Sequence, residues 1–124
     1  MIHRLPQDAP WEVDYGYTKA VVAGPWVLVS GHVSLEQEDS VGQARAAFRD
    51  VLATAKRVGA QQSDVVRVRI FYTETDDADA ISRAFKEVFG GDHPPAATMV
   101  RVASLMLPQL KIEIDLDAYL DNTR

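Results

Sequence analysis

The amino-acid sequence predicts an α+β fold, a two-layer sandwich in which a mixed sheet carries two helices on one face. Three observations predict this fold. Apolar and polar residues alternate in several short segments, two longer segments have apolar residues at helical spacing, and the order of these elements is ββ-α-β-α-ββ. A chain of 124 residues has the length of one ordinary domain, so we expect a single domain over residues 1–124.

The first two strands are predicted to form a hairpin. Residues 15–22 and 26–33 are rich in β-branched and aromatic residues, and Gly24 and Pro25 separate the two runs. The second run has little polar alternation, which is typical of a strand covered on both faces. Residues 1–14 contain two prolines and many polar groups, and we expect them to form an irregular N-terminal arm.

Two amphipathic helices follow. The first begins at Ser40, which forms a capping-box pattern with Gln43, and it ends near Gly59. The second follows the helix-starting residues 75–77 and ends at Gly90. Apolar residues at helical spacing form one stripe on each helix: Ala44, Ala47, Phe48, Val51, Leu52 and Ala55 on the first, and Ile81, Ala84, Phe85, Val88 and Phe89 on the second.

Three further strands are predicted over residues 64–73, 97–105 and 111–117. The alternation in the first of them separates an apolar set from a second set, Val66, Val68 and Ile70 on one face and Arg67, Arg69 and Phe71 on the other. The last strand has Lys111, Glu113, Asp115 and Asp117 on its polar face. We expect the two arginines to face carboxylates of a neighbouring strand or subunit.

Two helices on one face leave the other face of the sheet without a cover from this chain. A second copy of the protein is the economical way to bury its apolar residues, so we expect a homo-oligomer.

Composition excludes several classes of function. Cysteine is absent, which excludes a disulfide framework, a thiolate metal site and a cysteine nucleophile. The net charge is −5, which opposes nucleic-acid binding at long range. No apolar stretch has the roughly 20 residues that a membrane span needs, and no secretory signal is apparent. We therefore expect a cytoplasmic protein without a membrane or nucleic-acid partner.

The sequence contains no recognisable metal or cofactor motif. His3, His32 and His93 lie far apart, and Asp76 and Asp77 are better explained as residues that favour the start of a helix. For His32 we favour a structural role at a strand end over a catalytic one. No metal and no cofactor are expected.

Several motifs, in this order and spacing, resemble the RidA/YjgF family of reactive-intermediate deaminases. The segments that carry the resemblance are 16–20 (GYTKA), 27–31 (VLVSG), 64–70 (DVVRVRI), 95–100 (PAATMV) and 111–114 (KIEI), together with the helix through Phe48 and Leu52. The resemblance spans residues 12–118. It implies a chorismate-mutase-like fold and a homotrimer in which the sheets face inward and small molecules bind in three clefts between subunits.

The resemblance also implies an activity and a set of site residues. Family deaminases hydrolyse 2-imino or 2-enamino acids to 2-oxo acids and ammonia without a cofactor. Tyr17 matches the cleft tyrosine of the family, and Ser30 and Gly31 match the strand-end pair that lines the cleft. Glu113 matches the glutamate assigned to water activation.

Three positions depart from the family pattern. Ala97 stands where the family has its carboxylate-binding arginine, Met99 stands at a frequent cysteine, and Ser82 stands at an asparagine. The missing cation would cost a charge-assisted interaction of about 1.5–3 kcal/mol. Arg101 shares the strand face of Ala97 but lies about 13 Å further along. Arg101, Arg67, Arg69 or a neighbouring subunit could supply the cation, and the chain resembles family members that lack the arginine.

Three hypotheses for function follow. The first is a hydrolytic imine or enamine deaminase that uses Glu113, with Tyr17 and Ser30 shaping the cleft. The second is a trimer that binds a metabolite in its clefts without turnover. The third is an endoribonuclease, which the acidic charge and the lack of a His/Lys constellation favour least.

Overall fold

A computed structural model describes residues 1–121, so the last three residues of the expected domain lie outside the described part. Its elements, in chain order, are β1 (Ile2–Arg4), α1 (Pro10–Tyr15), β2 (Ala20–Ala23), β3 (Trp26–His32), α2 (Ser40–Arg57), β4 (Val65–Tyr72), α3 (Ala78–Phe89), β5 (Ala96–Arg101) and β6 (Ile112–Tyr119). Short 3-10 turns precede β4 and α3.

The strands form one six-stranded mixed sheet in the order β1-β2-β3-β6-β4-β5. Only β4 and β5 are parallel, with α3 as the crossover between them, and the other neighbouring strands are antiparallel. The last strand therefore lies between β3 and β4 at the centre of the sheet. This arrangement confirms the predicted α+β fold with a mixed sheet.

Helices α2 and α3 pack together on one face of the sheet. Their apolar stripes meet the buried face of β4 and β6, where Val68, Ile114 and Leu116 are completely or almost completely buried in the same cluster as Phe48. The rings of Phe48 and Phe89 lie 5.7 Å apart in an edge-to-face contact. The predicted two-layer arrangement is confirmed, and the core lies between the helices and this sheet face.

The prediction of an irregular arm over residues 1–14 is wrong. Strand β1 extends the sheet beside β2, and Pro10 begins the short helix α1, at a position where its missing N–H costs nothing. Gly16 ends the helix with φ 77°, in the left-handed region that favours glycine. A three-residue edge strand and a six-residue helix are too short to produce a periodic pattern, which explains the error.

The start of α2 also differs from the prediction. Asp39, not Ser40, is the N-cap, and its carboxylate accepts a hydrogen bond from the Gly42 N–H at 2.9 Å. The buried Ser40 Oγ has no hydrogen-bond partner among the described residues. Gln43 is buried too, and its side chain donates to the Gln109 carbonyl and accepts from the Lys111 N–H, which ties α2 to the start of β6.

A bulge at the start of β4 changes the predicted faces. Val65 is buried and Val66 is exposed, because the register against β6 shifts between Val65 and Arg67. Arg69 binds Asp115 at 3.0 Å and Asp117 at 3.2 Å, which confirms the expected cross-strand pairing with carboxylates. Arg67 instead donates a hydrogen bond to Thr98 Oγ1 at 3.1 Å.

The sheet face opposite α2 and α3 carries exposed apolar side chains. Trp26 and Tyr119 are register partners on this face and their rings lie 5.0 Å apart, edge to face. Leu28 follows on the same face of β3 and is 44% exposed. We call this surface, with Trp26, Leu28, Val100 and Tyr119, the open face.

Candidate functional site

A cavity of about 420 Å³ lies where the end of β3 meets α2 and the segment that follows α1. Tyr17 and Gly31, two of the predicted site residues, line it. Lys19, His32 and Arg57 line it as well. The cavity therefore brings together the end of a strand, the last turn of a helix and the tyrosine that the sequence singled out.

Glu113 lies directly against Gly31. A Cβ atom at position 31 would be only 2.9 Å from the Glu113 Cδ, so the carboxylate occupies the space that any side chain there would need. Burial raises the pKa of the Glu113 carboxyl, and the neighbouring Asp115 charge raises it further. A carboxylate with a raised pKa is a better proton acceptor than an ordinary surface glutamate.

Tyr17 and Ser30 have different roles at this site. Burial raises the pKa of the Tyr17 hydroxyl, and the Glu12 carboxylate adds to that, so Tyr17 stays protonated and can donate a hydrogen bond. The Ser30 hydroxyl instead donates to the Thr18 carbonyl at 2.7 Å, and the Ser30 N–H donates to the Lys19 carbonyl at 2.9 Å. Ser30 thus fixes the segment that carries Tyr17 and Lys19.

His32 is held by hydrogen bonds at both ring nitrogens. Nδ1 lies 2.7 Å from the Ser30 carbonyl, to which it must donate, and Nε2 lies 2.7 Å from Thr54 Oγ1, from which it can then accept. Burial lowers the pKa of His32, which favours this neutral form. The arrangement agrees with the structural role expected for this histidine.

Two cations of the cavity, Lys19 and Arg57, were missed as site residues by the sequence analysis. Both bind the carboxylate of Asp8, at 2.6 Å and 3.1 Å respectively. Lys19 lies in the motif at residues 16–20, but that motif does not by itself indicate that the lysine lines a site. Arg57 stands in the last turn of α2, where a basic residue is ordinary, so no local signal distinguishes it.

The remaining predicted site residues lie on β5 and on the helix side of the sheet. Ala97 and Met99 are the register partners of the buried Val68 and Ile70, and the Ser82 Oγ lies 3.5 Å from the Met99 Sδ. Ala97 and Arg101 share this face, as predicted. Met99 and Ser82 are therefore in contact, and Ala97 lies two residues before Met99 on the same face of β5.

Within one protomer, none of the three candidate arginines places a cation beside Ala97. Arg101 Nε donates to the Thr73 carbonyl at 3.0 Å, beyond the end of β4. Arg67 and Arg69 extend from the opposite face of the sheet, where they bind Thr98, Asp115 and Asp117.

The predicted site residues therefore form two groups in one protomer. Glu113 pairs with Phe71 on the open face, whereas Ala97, Met99 and Arg101 lie on the helix side. Tyr17, Ser30, Gly31 and Glu113 make up the first group, and Ala97, Met99 and Arg101 make up the second.

The described residues, 1–121, offer neither a metal cluster nor a membrane-spanning helix. Histidine and carboxylate side chains do not cluster in threes or more in a way that could hold a metal ion. The helices in this part of the chain are too short or too polar to cross a bilayer.

Comparison with known proteins gives consistent results. The family model described as endoribonuclease L-PSP matches residues 7–120. A Mycobacterium tuberculosis structure, described as a member of the YjgF/YER057c/UK114 family, has 32% identity and a TM-score of 0.89, and the match covers 97% of this chain and 100% of that one.

Two curated relatives complete the comparison. An uncharacterised protein of Streptomyces coelicolor is 27% identical over 95% of this chain and 92% of its own length. A Dermatophagoides farinae protein named 2-iminobutanoate/2-iminopropanoate deaminase is 35% identical over 72% of this chain and 74% of its own. Together with the fold, the family match over residues 7–120 shows that this chain belongs to the endoribonuclease L-PSP family, the RidA/YjgF family that its motifs resemble.

Proposed function

We propose that this protein binds a small imine or enamine and hydrolyses it to a carbonyl compound and ammonia, without a cofactor. The observation that carries the proposal is the Glu113 carboxylate, half-buried against Gly31 and close to the cavity that Tyr17 lines. The deaminase name of one relative, at 35% identity, supports the same chemistry.

The proposed reaction needs one base and one water molecule. The Glu113 carboxylate accepts a proton from water as the water oxygen bonds to the imine carbon. The C=N π electrons move to nitrogen, which takes that proton back from Glu113, and a carbinolamine results. Glu113 then transfers the hydroxyl proton to the amino nitrogen, so that the C–N bond breaks and ammonia leaves as the carbonyl forms. The Tyr17 hydroxyl, which stays protonated, is available to orient the substrate.

We propose that the site is completed in a homotrimer. Support comes from the open face, whose apolar residues no element in the described part of the chain packs over, and from Glu113 and Ala97, which lie on opposite faces of the sheet. A cleft between subunits would combine the Glu113 group of one subunit with the Ala97 group of the next.

The test of this activity is hydrolysis of 2-iminopropionate, generated in place from alanine by an amino-acid oxidase. We expect wild-type protein to accelerate hydrolysis above the buffer rate and Glu113→Gln to remove at least about 100-fold of that acceleration, the scale of general-base catalysis. Because burial raises the pKa of Glu113, its carboxylate is protonated at a higher pH than an ordinary glutamate, whose pKa is about 4.3. The hydrolysis rate should therefore already fall as the pH decreases towards that value.

Glu87→Gln is the matched control, since Glu87 is exposed on α3 and pairs only with Arg45 at 3.1 Å among the contacts described. It should leave the rate unchanged. Equal rates for wild type and Glu113→Gln would remove Glu113 from the mechanism.

The absence of a cation at Ala97 favours a second candidate, ligand binding without turnover. Under this alternative, wild-type protein does not accelerate hydrolysis, whereas Ala97→Arg gains 2-iminopropionate hydrolysis if the rest of the cleft is intact. An endoribonuclease is favoured least, because the net charge of −5 opposes binding of RNA.

A further inference from the structure

We propose that Lys19 and Arg57 form a subsite for the carboxylate of the ligand, and that Asp8 of the same chain occupies it when no ligand is bound. The inference rests on the proposed function only in placing the ligand in the cavity that both cations line. These two cations lie at a different place in the fold from position 97, where the family has its carboxylate-binding arginine and this chain has Ala97.

The structure already contains a carboxylate in this subsite. Asp8 Oδ1 lies 2.6 Å from Lys19 Nζ, and Asp8 Oδ2 lies 3.1 Å from Arg57 Nη1. One carboxylate thus uses both of its oxygens to bridge two cations that come from separate parts of the fold. The same geometry can hold the carboxylate of a free ligand, because hydrogen bonds between cations and a carboxylate are stronger than those between neutral groups. The hydrogen bond with Lys19 is the main reason that the pKa of Asp8 falls to about 2.

The local charge balance explains why Asp8 is the displaceable partner. Lys19 also lies 3.4 Å from the Glu12 Oε2, and Glu12 is completely buried in α1. Glu12 cannot leave without unfolding that helix. The Asp8 side chain is 42% exposed and stands in the irregular segment between β1 and α1.

Two cations face two carboxylates in the present arrangement, so the departure of Asp8 leaves one positive charge at the cavity wall. Asp50 also lines the cavity, but its carboxylate binds Arg49 at 3.0 Å and so is already paired. A ligand carboxylate would restore the balance. The subsite therefore favours small monocarboxylates, of which 2-imino and 2-oxo acids fit the proposed chemistry.

The experiment measures pyruvate binding by isothermal titration calorimetry at low ionic strength. Asp8→Asn removes the internal competitor and should tighten pyruvate binding several-fold. Arg57→Met removes one cation and should weaken binding by roughly 10-fold or more, the scale of a lost charge-assisted hydrogen bond. Arg83→Met is the matched control, because Arg83 is exposed on α3 and pairs with Asp79 at 2.8 Å. It should bind pyruvate as wild type does.

Lys19 is tested conservatively, since its removal would leave the buried Glu12 carboxylate without its cation. Lys19→Arg keeps the charge and should retain binding, and circular dichroism checks the fold of every variant. The proposal is overturned if Asp8→Asn does not tighten binding, if Arg57→Met binds as Arg83→Met does, or if neither wild type nor Asp8→Asn binds pyruvate at millimolar concentration.

The same variants separate this inference from the proposed hydrolysis. Pyruvate binding with the expected pattern but no imine hydrolysis would retain the subsite and refute the proposed activity. Hydrolysis that depends on Glu113 but is indifferent to Asp8 and Arg57 would retain the activity and refute the subsite.

Discussion

Position 31 is a glycine because a carboxylate occupies the space of its missing side chain. The backbone there is not in the left-handed region, so conformational freedom does not explain the residue. The Glu113 side chain lies where a Cβ would be, and it is the flexible carboxylate rather than the backbone that would have to yield. A larger residue at position 31 would therefore displace the Glu113 side chain.

Gly31→Ala should displace the Glu113 carboxylate and lower any Glu113-dependent hydrolysis by on the order of 10- to 100-fold, because catalysis is sensitive to a displacement of about 1 Å. The thermal midpoint should change little. Gly91→Ala is the control, since a Cβ there would meet nothing within 4 Å. Steady-state kinetics and melting curves check both, and full activity of Gly31→Ala would show that the contact has no role in hydrolysis.

At the scale of elements, the start of α2 shows how a local pattern can select the wrong residue. Ser40 and Gln43 have capping-box spacing, but Asp39 caps the helix and Gln43 is drawn into contacts with the loop before β6. The cap shifts by one residue because Gln43 makes long-range hydrogen bonds in the core. Its spacing from Ser40 therefore serves tertiary contacts and not the helix end.

Asp39→Ala should lower the free energy of unfolding by about 1 kcal/mol through loss of the cap. Ser40→Ala should be neutral or stabilising, because it removes a buried hydroxyl that has no hydrogen-bond partner among residues 1–121. Urea unfolding measures both, with the exposed Glu38→Ala as control. If Ser40→Ala lowered the free energy of unfolding more than Asp39→Ala, Ser40 and not Asp39 would be the cap.

At the scale of the whole molecule, the order of the strands explains both the open face and the separation of Glu113 from Ala97. Because β6 lies between β3 and β4, its polar alternate residues reach the open face, while Ile112, Ile114 and Leu116 meet the helices. In the middle of the open face, Arg69 forms ion pairs with Asp115 and Asp117 of the same chain. The apolar residues at its margins remain available to another copy.

Leu28→Asp should dissociate the proposed trimer, because it places a charge on the apolar open face, which the assembly would bury. Light scattering after size-exclusion chromatography should give a trimeric mass for wild type and a monomeric mass for the variant. Ala80→Glu, on the exposed side of α3, adds a charge away from this face and should stay trimeric. A monomeric wild type, or a trimeric and folded Leu28→Asp, would contradict the assembly.

Local sequence by itself determined the main helices and strands, because periodicities of about 3.6 and 2 residues are properties of neighbouring positions. The α+β class, the hairpin closed at Gly24 and the faces of most strands followed from these periods. Two residues that the motifs single out, Tyr17 and Gly31, line the cavity. Short elements such as β1 and α1 were missed because they span too few residues to show a period.

Only the tertiary structure decided which of these residues meet. Strand order placed Glu113 against Gly31, sheet register placed Ala97 on the other face, and packing of the N-terminal segment on α2 joined Asp8 to Arg57. Such contacts join residues far apart in the chain, and they form when burial of the core selects one packing of the elements. That selection depends on the whole molecule, so no local pattern contains it.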